Sequence, residues 1–331
     1  MLKKTLQLSF DDVWIEPQYS EVDSRRTPDL SSRLSQFCTL SHPVIASNMA
    51  SVVGEKMAKI LDKSGSIAIH HRFLTKDDVL KLAQRFTGNV FSYSIGIKDE
   101  DLDCAKAVYA ILGNQAVPLV DIAHGHSKNM GKFVEKVKMI GYETLIAGNI
   151  ATGDGFNFLA DHGADAVRVG IAGGKVCTTK YITGHHIPTL QSVFECNEAR
   201  LHSTANHDIS IIADGGISSS GDAVKALAAG ADFVCLGSVL AATSDSPGEL
   251  SEVDGAMFKT HFGMSSKWAL HKFYGEEKRH VVPEGKSERL PFTGDTTEVL
   301  EDFIAGIRSA FAYSGAKSMS EFHQKAILRH K

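Results

Sequence analysis

The sequence lacks the features that mark membrane-bound and secreted proteins. No run of about 18 apolar residues, the length that a membrane-spanning helix requires, occurs along its 331 residues. The opening stretch MLKKTLQLSFDDVW carries two lysines but neither a long apolar run nor a small-residue cleavage site, so it does not resemble a signal peptide. We therefore expect a soluble, cytoplasmic protein with no membrane partner.

Cysteine is scarce and widely scattered. The chain has five cysteines, an odd number, and no two of them form a CxxC pair. This pattern favours neither a zinc site nor a disulfide framework. Cys235 lies inside the apolar run FVCLGS and is expected in the core. Cys177 differs, because its neighbours in GIAGGKVCTTK (170–180) do not fit a core strand.

A strong excess of charge and a Rossmann motif are also missing. The net charge of −4 gives no general attraction for nucleic acid, so any phosphate must meet a local site. No GxGxxG motif follows an early strand, which argues against a Rossmann dinucleotide site. Histidines and carboxylates are not spaced as zinc ligands.

What the sequence does contain is a series of eight short apolar runs separated by helical patterns. The runs cover residues 43–49, 66–71, 90–97, 117–124, 143–150, 166–171, 209–216 and 233–238. They are nearly continuous rather than alternating, which is typical of parallel strands covered on both faces. Eight such units predict an α/β fold, a (β/α)8 TIM barrel forming one domain over residues 1–331. A doubly wound open sheet is the alternative.

A C-terminal extension of about ninety residues follows the eighth run. Its charged segment YGEEKRHVVPEGKSERLPF (274–292) has no apolar periodicity, which predicts a loop or a mobile lid. We place a flap over residues 261–296 within the barrel domain. Residues 297–314 predict a final helix.

Glycine-rich and polar turns follow the carboxyl ends of the predicted strands, where a barrel builds its active site. The turns DGG (214–216) and GS (237–238) follow the seventh and eighth strands. Barrels often bind phosphate at that corner through backbone N–H groups. A phosphorylated ligand is therefore expected.

The turn after the sixth run places Cys177 close to Gly173, Gly174 and Lys175. Backbone donors and a nearby lysine favour the thiolate that a nucleophile needs, although an accidental exposed thiol fits the same pattern. A catalytic cysteine also requires a group that transfers protons. The candidates for that group are Glu284 in VPEGK and Asp121, His124 and His126 in DIAHGHS.

These segments, taken in order, resemble the family of inosine-monophosphate (IMP) dehydrogenase and guanosine-monophosphate (GMP) reductase. The matching pieces are LSFDDVWIEP, PVIASNM, DIAHGHS, AGNIATG, GADAVRVGI, GGKVCTTK, TGHHIPTLQSV, IADGGISSSGDAVKALAAGADFV, LGSVLA, FGMSS, EGK and GIRSAFAYSGA. They extend from about residue 7 to residue 325, and their ordered combination is far more specific than any one of them.

Two features separate the two activities of this family. Dehydrogenases usually carry a pair of CBS modules after the second strand, but only 16 residues separate Phe73 from VFSYSIGI here. Dehydrogenases also carry an Arg-Tyr pair on a flap, and none occurs between Met264 and Glu284. The resemblance therefore implies a reductase that converts GMP into IMP and ammonia with NADPH, in purine salvage. The alternatives are a CBS-less dehydrogenase oxidising IMP to XMP with NAD, and an inactive purine-nucleotide-binding barrel.

The resemblance also assigns roles to individual residues. It makes Cys177 the nucleophile, assisted by Thr179 and Glu284. It assigns the substrate to Ser47, Asn48, Lys175, Asp214, Gly215, Gly216, Gly237, Ser238, Gly263, Met264, Ser265 and Gly285. It assigns the cofactor to Ser24, Arg25, His71, Asp121, Ile122, Ala123 and Ser314. A potassium ion on the carbonyls of Ala172, Gly174 and Cys177, and a homotetramer, are implied as well.

The chain departs from the family pattern at a few of these positions. The family's NMD reads Asn48-Met49-Ala50, which removes a carboxylate near the ligand. Ala172 stands where glycine is usual, and Lys175 takes the place of a phosphate-binding serine. Phe262 replaces a common tyrosine. With these changes, a purine nucleotide other than GMP is an alternative substrate.

Overall fold

Eight parallel strands form a closed ring in the computed structural model, which describes residues 7–274 and 282–331. They are β1 (Val44–Ala46), β2 (Ile69–His70), β3 (Phe91–Ile95), β4 (Ala116–Asp121), β5 (Ile146–Ile150), β6 (Ala166–Val169), β7 (Ser210–Asp214) and β8 (Phe233–Leu236). Each pairs with its neighbour in the chain, and β8 returns to β1. A parallel bridge between Ala46 and Ala68 joins β1 to β2 and closes the ring. The predicted barrel is confirmed.

The helices lie between and after these strands. They are α1 (Glu55–Ser64), α2 (Lys76–Gln84), α3 (Asp99–Leu112), α4 (Lys128–Lys138), α5 (Gly153–Asp161), α6 (Thr179–Thr183), α7 (Thr189–His202), α8 (Ser220–Ala228), α9 (Ser238–Ala241), α10 (Lys267–Tyr274), α11 (Thr296–Tyr313) and α12 (Met319–Lys325), with short 3-10 turns at Phe10–Asp12 and Gly113–Gln115. Local capping fixes several ends: Thr75 accepts a hydrogen bond from the Asp78 N–H, and Gly65 ends α1 with φ +84°. No described helix is long and apolar enough to cross a bilayer.

A hairpin closes the amino-terminal end of the barrel. Its strands, Ser32–Ser35 and Cys38–Leu40, place Leu34 and Leu40 in one apolar cluster with the barrel interior. Ser210 on β7 donates a hydrogen bond to the Arg33 carbonyl at 2.7 Å. The hairpin and the barrel interior thus form one packed core at this end.

Two further antiparallel sheets lie outside the barrel. Val13–Glu16 pairs with Ile327–His330, which joins the two ends of the chain. Ala256–Phe262 pairs with Leu250–Val253 on one side and Ser287–Pro291 on the other. The last of these strands lies in the segment predicted to be a loop, so that prediction was wrong there. The strand buries Leu290 and leaves the alternate residues exposed, an alternation that the flanking charges obscure. Residues 275–281 of the predicted flap lie outside the described residues.

Candidate active site

A cavity of about 880 Å³ opens at the carboxyl-terminal end of the barrel. Loops after strands β1, β4, β6, β7 and β8 line it, together with the turn at 263–265 and Glu284. The predicted site residues in its wall are Ser47, Asn48, Asp121, Ile122, Ala123, Ala172, Gly174, Lys175, Cys177, Thr179, Asp214, Gly215, Gly216, Gly237, Ser238, Gly263, Met264, Ser265 and Glu284. Residues that are far apart in sequence thus share one concave site, as barrel topology requires.

A chain of polar contacts links the cysteine to a carboxylate. Cys177 Sγ lies 3.3 Å from Thr179 Oγ1, and Thr179 Oγ1 donates to Glu284 Oε2 at 2.7 Å. Both distances allow proton transfer along the chain. Of the other candidates, Asp121 lines the cavity but contacts Arg168 and Asn48, whereas His124 and His126 are exposed and are not among the residues that line the cavity. Glu284 is therefore the candidate that is coupled to the thiol.

Backbone pairing brings the two segments of this chain together. The Thr178 N–H donates to the Glu284 carbonyl at 2.8 Å, and the Lys286 N–H donates to the Val176 carbonyl at 2.9 Å. Gly285 forms bridges to both Cys177 and Ser266, so it supports the site from behind the cavity wall. The distance between thiol and carboxylate is thus set by main-chain hydrogen bonds.

The cysteine loop also approaches the DGG turn closely. Gly215 has φ +93°, and a Cβ there would meet the Gly174 nitrogen at 2.8 Å. Glycine is therefore required by both conformation and space. Ala172 has φ +63°, a left-handed conformation that is rare for alanine. Because alanine carries a Cβ, holding this conformation costs about 1–2 kcal/mol in backbone strain.

A buried arginine organises the floor of the cavity. The Arg168 side chain is 7% exposed and contacts Asp214 at 2.9 Å and Asp121 at 3.3 Å. Burial acts against its charge, but the carboxylates, Asp214 above all, outweigh burial and raise the pKa of Arg168. Arg168 was not predicted from the sequence as a site residue. A charged residue within the apolar run AVRVGI nevertheless indicates a buried charge that needs a partner.

Two asparagines complete the hydrogen bonding of these carboxylates. Asn48 Nδ2 donates to Asp121 Oδ2 at 3.1 Å, and Asn149 Nδ2 donates to Asp214 Oδ2 at 2.7 Å. Each aspartate therefore has an arginine contact and an amide donor. Because these donors lock their orientation, both carboxylates present a fixed acceptor surface to a ligand.

The predicted phosphate-binding residues all line the cavity. Lys175 is among them, and its Nζ is 3.1 Å from Glu288 Oε1. His261 also lines the cavity and lies 2.8 Å from Ser51 Oγ through its Nδ1. Burial lowers the pKa of His261 to about 4, so this imidazole is neutral near pH 7. Neither Glu288 nor His261 was predicted from sequence.

The predicted cofactor residues fall into separate groups. Asp121, Ile122 and Ala123 line the cavity. His71 is buried beside Phe273, with 5.7 Å between ring centroids, and its Nδ1 has no hydrogen-bond partner among the described residues. Ser24, Arg25 and Ser314 are not among the residues that line the cavity. Their segments are joined to each other, since the Gln18 N–H donates to the Tyr313 carbonyl at 2.9 Å.

Comparisons with known proteins place these features in context. The family model for the IMP dehydrogenase / GMP reductase domain matches residues 7–330. A GMP reductase from Vibrio parahaemolyticus is 37% identical over 335 residues, covering 99% of this chain and 95% of the relative. Human GMP reductase 2 is 36% identical over 334 residues, covering 98% and 94%. The crystal structure of a cysteine-to-alanine variant of Trypanosoma brucei GMP reductase in complex with GMP has a TM-score of 0.90 at 24% identity, covering 99% and 96%, which is a likeness of fold.

Proposed function

The chain belongs to the IMP dehydrogenase and GMP reductase family, and from that premise we propose that it is a GMP reductase. The reaction converts GMP, NADPH and one proton into IMP, ammonia and NADP⁺. The observation that carries the proposal is the contact chain from Cys177 through Thr179 to Glu284 at the wall of the cavity. The names of the relatives that match nearly the whole chain support the choice of GMP as substrate.

The first half of the proposed reaction expels ammonia. Cys177 gives up its proton through Thr179 to Glu284, and its sulfur forms a bond to C2 of the guanine ring. The bond from C2 to the amino group breaks, and Glu284 returns the proton through Thr179 to the departing nitrogen. The product of this half is a thioimidate between Cys177 and the purine.

The second half releases IMP. NADPH, when bound, supplies the hydride that C2 receives. The bond from C2 to sulfur then breaks, and Cys177 leaves as a thiolate, which takes up one proton from solvent before the next cycle. Throughout, the backbone at Gly215, Gly216 and Gly237 and the hydroxyl of Ser238 hold the phosphate end, while Met264 and Ser265 lie against the base.

The residues present fit a nicotinamide dinucleotide on one side of the cavity. Asp121, Ile122 and Ala123 offer a wall next to the amide of Asn48, and the buried His71 Nδ1 has no hydrogen-bond partner among the described residues. We assign these residues to the cofactor. We propose the same role for Ser24, Arg25 and Ser314, which, like His71, are not among the residues that line the cavity.

Three further properties complete the proposal. Potassium binds the carbonyls of Ala172, Gly174 and Cys177; the Gly174 carbonyl accepts the Cys177 N–H at 3.1 Å and keeps a second lone pair for an ion. The described residues act as one catalytic domain in a homotetramer. All five cysteines are free thiols, which supports a reducing compartment such as the cytoplasm.

A direct assay tests the proposed activity. The purified full-length chain is mixed with GMP or IMP and with each nicotinamide cofactor in turn, while absorbance and ammonia are followed. We expect GMP to oxidise NADPH with one ammonia released per NADPH. Formation of NADH from IMP, with no reaction of GMP, would select a CBS-less dehydrogenase. Nucleotide binding with no turnover of either substrate would select an inactive binding protein.

A further inference from the structure

Glu288 lies beside Lys175, the lysine that the family resemblance assigns to the phosphate of the substrate. Strand pairing sets its place, since Glu288 stands opposite His261 in the register of Ser287–Pro291 with Ala256–Phe262. Glu288 Oε1 is 3.1 Å from Lys175 Nζ, and Glu288 Oε2 is 3.6 Å from Lys286 Nζ. Lys175 and His261 line the cavity, whereas Glu288 is not among the lining residues. The carboxylate therefore holds the cavity's lysine from the side away from the ligand.

Glu288 and the two lysines beside it, Lys175 and Lys286, form a cluster of opposite charges. Burial favours the neutral acid of Glu288, but the hydrogen bond and charge of Lys175 outweigh it and lower its pKa. His261 adds no positive charge near pH 7, because burial lowers its pKa to about 4. Together Lys175, Lys286 and Glu288 carry a single net positive charge. A dianionic phosphate therefore meets less positive charge than Lys175 and Lys286 would supply without Glu288.

We propose, building on the proposed function, that Glu288 is a specificity-determining residue that competes with the nucleotide phosphate for Lys175. A phosphate on Lys175 must share the ammonium with the carboxylate, and the two like charges then lie close together. Glu288 thus weakens the binding of phosphorylated ligands and leaves the binding of the base and ribose unchanged. GMP and IMP carry the same phosphate, so the effect falls on substrate and product alike.

Equilibrium binding tests this inference without turnover. GMP and guanosine are titrated by calorimetry into the full-length Cys177→Ala protein and into the same protein carrying Glu288→Gln, Lys175→Met or both. We expect Glu288→Gln to tighten GMP binding about tenfold and to leave guanosine unchanged. We expect Lys175→Met to weaken GMP binding, and Glu288→Gln to give no gain in that background. Glu321→Gln is the matched control, because it breaks a Lys–Glu pair of 2.6 Å on α12, outside the cavity.

Each possible binding result either supports or excludes competition between Glu288 and the phosphate. Unchanged or weaker GMP binding in Glu288→Gln would overturn the inference, since Glu288 then positions Lys175 instead of competing for it. Equal gains for GMP and guanosine, or a gain that survives Lys175→Met, would also overturn it. If the Cys177→Ala protein with Glu288 intact binds neither GMP nor IMP, the proposed function fails and the inference fails with it. Thermal melts of every variant establish that the compared proteins are folded.

Discussion

The two ends of the barrel are filled by different chemistry. At the amino-terminal end, Leu34 and Leu40 of the hairpin pack on Ile45 and Phe233 in a dry apolar cluster. At the carboxyl-terminal end, Arg168 and its carboxylates form the floor of an 880 Å³ cavity. The comparison teaches that one set of eight strands supports both a core and a site, because side chains near opposite strand ends face different neighbours. Changes at the first end should therefore alter stability, and changes at the second should alter chemistry.

The largest expected effect contrasts a cysteine of the catalytic loop with a cysteine of the apolar cluster. Cys177→Ala should lower GMP-dependent NADPH oxidation by at least about 10³-fold, because its thiol is the one coupled through Thr179 to Glu284. Cys38→Ala should keep most of the activity and lose some thermal stability, since this thiol packs against the apolar cluster at the other end and burial raises its pKa to about 11. Steady-state rates and melting curves of both variants check the contrast. A rate in Cys177→Ala close to wild type would remove the proposed nucleophile.

The next contrast concerns stability at the two ends. Arg168→Met should cost about 3–5 kcal/mol, because Asp121 and Asp214 lose their shared buried partner. Leu34→Ala should cost about 2–4 kcal/mol through the cavity that it leaves. The two variants should differ in function: folded Leu34→Ala protein keeps near-normal kcat, while Arg168→Met does not. Urea unfolding and kinetics at low temperature measure both quantities, and a normal kcat in Arg168→Met would show that the polar floor is structural alone.

A smaller effect tests the path between Cys177 and Glu284. Thr179→Val removes the hydroxyl that contacts both groups and should lower kcat about 10²-fold with little change in the KM for GMP. Thr178→Val is the matched control, since it leaves the Thr179–Glu284 hydrogen bond in place. Initial rates at saturating NADPH separate kcat from KM. Equal losses in the two variants would mean that the loop, and not the Thr179 hydroxyl, carries the effect.

The smallest predicted effect is a loss of stability at low pH, to which one buried histidine near each end of the barrel contributes. Burial lowers the pKa of His42 and of His261 from 6.5 to about 4. The unfolded chain protonates these histidines below pH 6.5, whereas the folded protein protonates them only near pH 4. The free energy of unfolding therefore keeps its full value above pH 6.5 and declines as the pH falls toward 4. Replacing either histidine by glutamine should reduce the loss of unfolding free energy between pH 7.5 and 5 by about 1–2 kcal/mol. Urea unfolding at both pH values measures this; identical pH profiles for wild type and variants would contradict it.

Much of the fold could be predicted because the barrel repeats one pattern. Each of the eight apolar runs overlaps a strand, although the strands are shorter than the runs; β2 spans Ile69–His70 where residues 66–71 were expected. Some of the excess residues, such as Ser47 and Gly215, lie just after a strand and line the cavity. The strand Ser287–Pro291 escaped prediction because it lies at the edge of a small sheet and is rich in charge.

The site was predictable where motif residues lie at strand ends, and less so elsewhere. Asp214, Gly215 and Gly237 follow strands directly, so topology alone brings them to one rim. Glu288 and His261 could not be found in this way, because their meeting depends on the register of two strands outside the barrel. Arg168 was visible in the sequence, but its partners come from two other strands.

The most direct test of the account is the covalent bond at Cys177. The full-length protein is mixed with GMP and no reductant, quenched in acid, and digested for mass spectrometry. We predict that the peptide containing Cys177 gains the mass of one GMP less one ammonia, and that addition of NADPH before the quench removes this adduct. An unmodified Cys177 peptide from protein that oxidises NADPH with GMP would contradict the central claim.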